Sequence, residues 1–206
     1  MKIFCIGRNY ANHAKEMNAP VPDAPVVFMK PPTALLLKDR PFYYPEFSKN
    51  IHYECELVVK ICKNGRSVQP EFASQYFKEV ALGIDFTARD LQAQCKEKRH
   101  PWEIAKAFDR SAVLGSFTSI DQLDMDNLKF ELKKGDSIVQ TGHVNDMLFS
   151  IESIICYLSK FFTLQIGDLI YTGTPEGVGP VHIGDKLEGF LYTKEGSKRS
   201  FECEIR

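Results

Sequence analysis

Glu54 and Glu56 stand two apart in Ile51-His52-Tyr53-Glu54-Cys55-Glu56-Leu57-Val58-Val59-Lys60-Ile61, where odd positions are apolar or aromatic and even positions mostly polar. That is the period of a half-buried strand, so both carboxylates leave the same face, roughly 6–7 Å apart at the backbone. Two like charges held that close call for a positive charge between them. A divalent ion that prefers oxygen, Mg2+, Mn2+ or Ca2+, would supply it. The bland alternative is the solvated face of an edge strand, with Lys60 and Lys63 as counter-charges. Asp85 closes the apolar run Val80-Ala81-Leu82-Gly83-Ile84, beside a helix start, and is either a site acid or a plain turn residue. His13 and Glu16, three apart on a short helical stretch, share a face and can touch, as a reactive pair or as surface decoration.

The elements that must place these groups follow from periodicity and breakers. Residues 1–7 read as a strand. A short helix spans Ala11 to Met17, ended by Asn18-Ala19-Pro20. The proline-rich stretch from Pro20 to Pro45 reads as short strand joined by rigid loop. Lys63-Asn64-Gly65-Arg66 carries an Asn-Gly hairpin signal, Gln69 to Lys78 reads as a short helix, and Val80 to Phe86 as a strand. Thr87, with Asp90 three residues later, is placed to cap a helix running from about Ala88 to Lys98. That helix puts Arg89 and Gln92 on one face. His100 to Phe117 has few regular signals. Leu128–Leu132 and Ser137–Thr141 form a hairpin about Lys133-Lys134-Gly135-Asp136. Ser150 opens a helix whose Ile151, Ile154, Ile155, Leu158 and Phe162 keep an apolar stripe. The strand Leu169–Tyr171 leads into Thr172-Gly173-Thr174-Pro175-Glu176-Gly177-Val178-Gly179-Pro180, a glycine-rich loop whose N–H groups suit a small anion but which lacks a P-loop lysine. Strands near Lys186–Tyr192 and Arg199–Ile205 close the chain.

With 206 residues, 44% of them hydrophobic and 26% charged, the chain suits one globular domain, 1–206. No apolar run approaches the roughly 20 residues of a membrane span, and the N-terminus is too short for a signal peptide core, so a cytoplasmic protein is expected. A net charge of −1 without a basic block gives nucleic acid no footprint. The six cysteines, at 5, 55, 62, 95, 156 and 203, form no C-x-x-C pair and read as buried reduced thiols.

Taken in order, Gly7-Arg8-Asn9-Tyr10-Ala11-Asn12-His13-Ala14-Lys15-Glu16-Met17, Phe28-Met29-Lys30-Pro31, His52 to Leu57, Asp85 to Gln92, Pro101-Trp102 through Lys106-Ala107-Phe108-Asp109, and Thr172 to Gly179 resemble the fumarylacetoacetate hydrolase family. The likeness is to its small acylpyruvase-like members. It implies an α+β, β-dominated fold, a mixed sheet roll with short peripheral helices, in a homodimer. It implies Glu54, Glu56 and Asp85 as ligands of Mg2+ or Mn2+, with Ca2+ able to take the same site in crystals. His13 and Glu16 fall on an acid–base pair borne by a lid-like helix that orders when substrate arrives. Lys106 falls beside the metal, and Arg89, Gln92, Gly173 and Thr174 on substrate contacts. The chemistry so implied is that of a 2-oxo acid passing through a metal-stabilised enolate, leading to acylpyruvate hydrolysis or oxaloacetate decarboxylation. The alternatives are isomerisation, including that of 2-hydroxyhepta-2,4-diene-1,7-dioate, and a non-catalytic binding protein that kept the fold. One departure is His143, where such chains usually carry a small polar residue; facing the pocket it would alter substrate choice, and a surface turn is the simpler role for it.

Overall fold

The structure, a computed structural model, describes residues 1–17, 20–37 and 39–206. Asn18 and Ala19, two of the residues expected to end the first helix, lie outside the described residues. The fold is β-dominated, as expected. An eight-stranded mixed sheet runs in the order Val26–Lys30, Ile3–Gly7, Leu169–Tyr171, Cys55–Ile61, Phe77–Asp85, Ala112–Leu114, Leu35–Leu37, with Thr118–Ser119 also on Phe77–Asp85. An antiparallel sheet of Ser137–His143, Lys129–Lys134, Lys186–Thr193 and Gly196–Glu204 packs beside it, and a small third sheet joins Gly179–Pro180, Ile51–Tyr53 and Thr87–Ala88. Among the described residues four α-helices decorate the sheets: α1 (Ala11–Glu16), α2 (Arg89–Lys98), α3 (Glu103–Lys106) and α4 (Ile151–Phe161).

The stretch 51–61 is two strands, not one. Ile51–Tyr53 belongs to the small sheet and Cys55–Ile61 to the large one, so the chain changes sheets at Glu54. Nor is it half-buried: Cys55 to Val59 are buried without interruption, because this strand is central and covered on both faces. The antiparallel register sets Glu56 opposite Gly83, and the Asp85 N–H donates to the Glu54 carbonyl at 2.8 Å. Residues directly opposite in such a pair share a face, so Glu54, Glu56 and Asp85 project together. Gly83 has to be glycine, since a Cβ there would lie 2.4 Å from the Val113 carbonyl and 2.7 Å from the Tyr171 ring.

Other expectations are corrected. Asn64-Gly65 makes no tight hairpin; Gly65 bridges to Leu164 and the Asn64 side chain accepts from the Ile166 N–H. The stretch expected as a helix over 69–78 is a 3-10 helix, Pro70–Tyr76, followed at once by strand. Thr87 is a strand residue and caps nothing, while Asp90 accepts from the Ser48 hydroxyl and the Lys49 N–H, so α2 begins without a side-chain cap. The four-residue helix α3, within the stretch 100–117 that has few regular signals, is too short to carry a period. The 129–143 hairpin and α4 follow expectation, with the Ser150 hydroxyl accepting from the Ser153 N–H. Ile151, Ile154, Ile155 and Leu158 are buried, each contributing about 1.5–3 kcal/mol. Of the six free thiols, Cys62 and Cys156 are only half-buried. No helix among the described residues is long and apolar enough to cross a membrane.

Candidate metal centre

Glu54, Glu56 and Asp85 are all buried, and one carboxylate oxygen from each lies within 4.8 Å of the others. The wet-face alternative for the two glutamates is thereby excluded. Asp85 points toward them, not away. Three basic side chains brace the cluster. Lys106, from the end of α3, sets its ammonium 2.7 Å from Glu54 Oε2 and 2.7 Å from Asp85 Oδ2. Lys30 stands 2.8 Å from Asp85 Oδ1 but off the hydrogen-bond line, so that oxygen has charge contact and no aligned donor. Arg89 Nη2 lies 2.6 Å from Glu54 Oε1, and the Gly173 N–H donates to Glu56 Oε2 at 2.7 Å.

These neighbours divide the two glutamates. Burial pushes the Glu54 carboxyl up, but Lys106, Arg89 and His13 outweigh it and hold the group well below the usual carboxylate range. Glu56 is pushed well above that range, first by burial and then by Asp85 and Glu54, against a smaller pull from Lys106 and the Gly173 N–H. Burial alone would lower Lys106; Asp85 and Glu54 reverse it and keep the ammonium charged. An all-oxygen set holding a poorly satisfied buried carboxylate fits a hard divalent cation such as Mg2+, Mn2+ or Ca2+. Metal binding here requires Lys106 to share the two acids it now bridges.

The other groups expected at the site reach it unequally. His13, Arg89, Gln92, Lys106 and Thr174 line the same cleft as the three acids. Glu16 sits behind His13, its Oε2 3.0 Å from His13 Nδ1 and its Oε1 accepting from the Gly177 N–H at 3.0 Å. An ionised carboxylate only accepts, so Nδ1 donates and Nε2 is the ring nitrogen left available. Helix α1, the lid-like helix of the family resemblance, is joined to the glycine-rich loop through Glu16 and the Gly177 N–H. Thr174 donates to the Cys55 carbonyl at 2.8 Å and accepts from Gln140, whose side chain also receives the Cys55 N–H. The Gly173 N–H is aimed at Glu56 rather than at the cleft. The loop is an anion cradle, but its anion is the protein's own side chain. Arg89 donates to Gln92 through Nη1 and is charge-paired with Glu54 through Nη2, which leaves its buried Nε as the donor without a partner. His143 is outside the cleft, its ring accepting from the Asn145 N–H.

Lys30 and Gln140 were not singled out, although both support the acids. Lys30 is buried, with its ammonium on Ser111 Oγ and the Lys106 carbonyl as well as beside Asp85. A lysine inside an apolar strand was the available signal. Gln140 gave none.

Comparison with known proteins shows the family to which the chain belongs. Residues 2–205 match the family model described as fumarylacetoacetate (FAA) hydrolase C-terminal. Oxaloacetate tautomerase FAHD1, mitochondrial, of Homo sapiens is 42% identical over 191 residues, covering 92% of this chain and 86% of that one. Oxaloacetate tautomerase YcgM of Escherichia coli is 40% identical, covering 90% and 86%. The crystal structure of fumarylpyruvate hydrolase from Pseudomonas aeruginosa, in complex with Mn2+ and pyruvate, superposes with a TM-score of 0.90 at 36% identity, covering 100% of this chain and 90% of that one. The chain therefore belongs to the fumarylacetoacetate hydrolase family, and it is an enzyme.

Proposed function

We propose that the chain is a divalent-metal-dependent enzyme of 2-oxo acids whose first reaction is keto–enol tautomerisation of oxaloacetate. One observation carries this: a buried triad of carboxylates opens into the same cleft as a histidine already oriented by a glutamate. The named activities of the two tautomerases support the choice of reaction. Glu54, Glu56 and Asp85 would hold the cation, which when bound supplies Lewis-acid charge at the substrate's 2-oxo group. Lys106 adds positive charge where the oxygen gains electron density, and Arg89 and Gln92 orient the substrate's carboxylate. His13 Nε2 moves the proton at the carbon next to the carbonyl, while Glu16 holds the ring and supports its protonated form. One proton leaves carbon and one arrives at oxygen, or the reverse, so nothing else is consumed. Thr174 and Gly173 act by holding the loop and Glu56 in place.

A second reading is favoured by the Mn2+- and pyruvate-containing neighbour. The same His13 could take a proton from water attacking a second carbonyl, which gives acylpyruvate hydrolysis. The two separate in one assay with Mg2+ or Mn2+: decay of the oxaloacetate enol absorbance against release of pyruvate from an acylpyruvate. Tautomerisation predicts faster enol decay that His13→Ala cuts at least about 100-fold, within the range for a general acid–base group. Pyruvate release without accelerated enol decay would overturn it in favour of hydrolysis.

A further inference from the structure

The cleft carries more positive charge than its carboxylates can use. Arg8, Arg89, Lys96 and Lys106 line it, against Glu54, Glu56 and Asp85. Arg89 and Lys106 are paired with those acids, whereas Arg8 and Lys96 have no carboxylate partner among the described residues. Any divalent ion on the triad enlarges the excess.

The surplus charge has a definite place. Arg89, Gln92 and Lys96 stand at i, i+3 and i+7 of α2, one stripe along the cleft wall, with Lys96 about 10 Å further along the axis from the acids than Arg89. A helical side chain leans back toward the N-terminus, which brings the Lys96 ammonium toward the acid end. It rests 5.9 Å from the centre of the Trp102 ring, another cleft residue, at the N-terminus of the helix that bears Lys106. Arg8 sits at the turn from the first strand into α1 with φ +60, a left-handed conformation that is strained for a non-glycine residue and gathers at ligand clamps. Partial desolvation of its ammonium and the charges of Arg89, Arg8 and Lys106 disfavour the charged form of Lys96, a repulsion that an anion between these groups would relieve.

We infer that Lys96, together with Arg8, receives the far carboxylate of the substrate, so that the enzyme selects 2-oxo dicarboxylates over 2-oxo monocarboxylates. This rests on the proposed function only in seating the 2-oxo end at Glu54, Glu56 and Asp85. A dianion then spans the cleft, one end at the triad and the other at the mouth, where Lys96 is exposed.

The test compares affinities for oxaloacetate and pyruvate, by thermal stabilisation in the presence of Mn2+, in the native chain and in Lys96→Gln, Lys96→Arg, Lys96→Glu and Arg8→Gln. Being exposed, Lys96 can be exchanged without disturbing the core. Lys96→Gln is expected to lower the preference for oxaloacetate about tenfold, the scale of one charge-assisted hydrogen bond. Lys96→Arg retains the preference, Lys96→Glu lowers it further, and Arg8→Gln moves it the same way. An unchanged affinity ratio in Lys96→Gln, or equal weakening of both ligands, overturns the inference. A chain that fails to tautomerise oxaloacetate yet keeps a Lys96-dependent ratio supports the inference and overturns the tautomerase reading alone. Failure of both ligands to bind the native chain overturns both.

Discussion

Glu56 is a carboxylate held where its charge is least welcome, buried beside Glu54 and Asp85 with a single backbone donor on Oε2. Such a group costs the metal-free fold stability and repays it when a divalent ion arrives, the usual trade at functional sites. Glu56→Gln should therefore raise the metal-free Tm by about 2–4 °C while weakening Mn2+ binding at least about tenfold. A lowered Tm, measured calorimetrically, would contradict this. The sign of the pH dependence follows. With its affinity for protons raised, Glu56 keeps a proton above the ordinary carboxylate range, and a cation must displace it. Metal uptake should release protons and tighten as pH rises, checked by titration in buffers of differing ionisation enthalpy. At this scale the sequence was informative where chemistry is local: alternation exposed Glu54 and Glu56, and a strand end exposed Asp85. Lys30 was hidden because its role depends on Ser111, 81 residues away, and no periodicity reports such a contact.

Among the elements, the loop after Leu169–Tyr171 does most to join the site. Its Gly173 adopts φ +103, and a Cβ there would fall 2.6 Å from the Asn9 Cβ. Asn9 cannot yield, since its side chain donates to the Phe149 and Thr172 carbonyls and accepts the Phe149 N–H. Gly173→Ala is expected to lose about 1–3 kcal/mol in denaturant unfolding and to weaken metal binding, because the N–H leaves Glu56. Native-like stability together with native metal affinity would contradict the role given to this turn. The loop was readable as an anion cradle from its glycines and hydroxyls, yet not that its anion is Glu56, a fact of the tertiary fold. Capping at Thr87 failed for a similar reason: pairing with Ile51–Tyr53 drew that residue into a strand and left Asp90 to bind Ser48 and Lys49. In α4, by contrast, a long apolar stripe and a serine cap agree, and the sequence reading held.

In the molecule as a whole, residues from His13 to Thr174 meet because the first strand pairs in parallel with Leu169–Tyr171, which in turn pairs with the strand bearing Glu56. That parallel pairing and the change of sheet at Glu54 are non-local, so alternation suggested a single half-buried strand where two strands and a corner exist. The corner is what turns Glu54 beside Asp85. Everything proposed for catalysis depends on those two acids and Glu56 closing on one cation. Calorimetric titration of the metal-free chain with Mn2+, alongside Glu54→Gln, Glu56→Gln and Asp85→Asn, tests this most directly. One Mn2+ per native chain, with binding weakened at least about tenfold in each variant, is the expected result. Native affinity in all three variants, or no binding to the native chain, would contradict it.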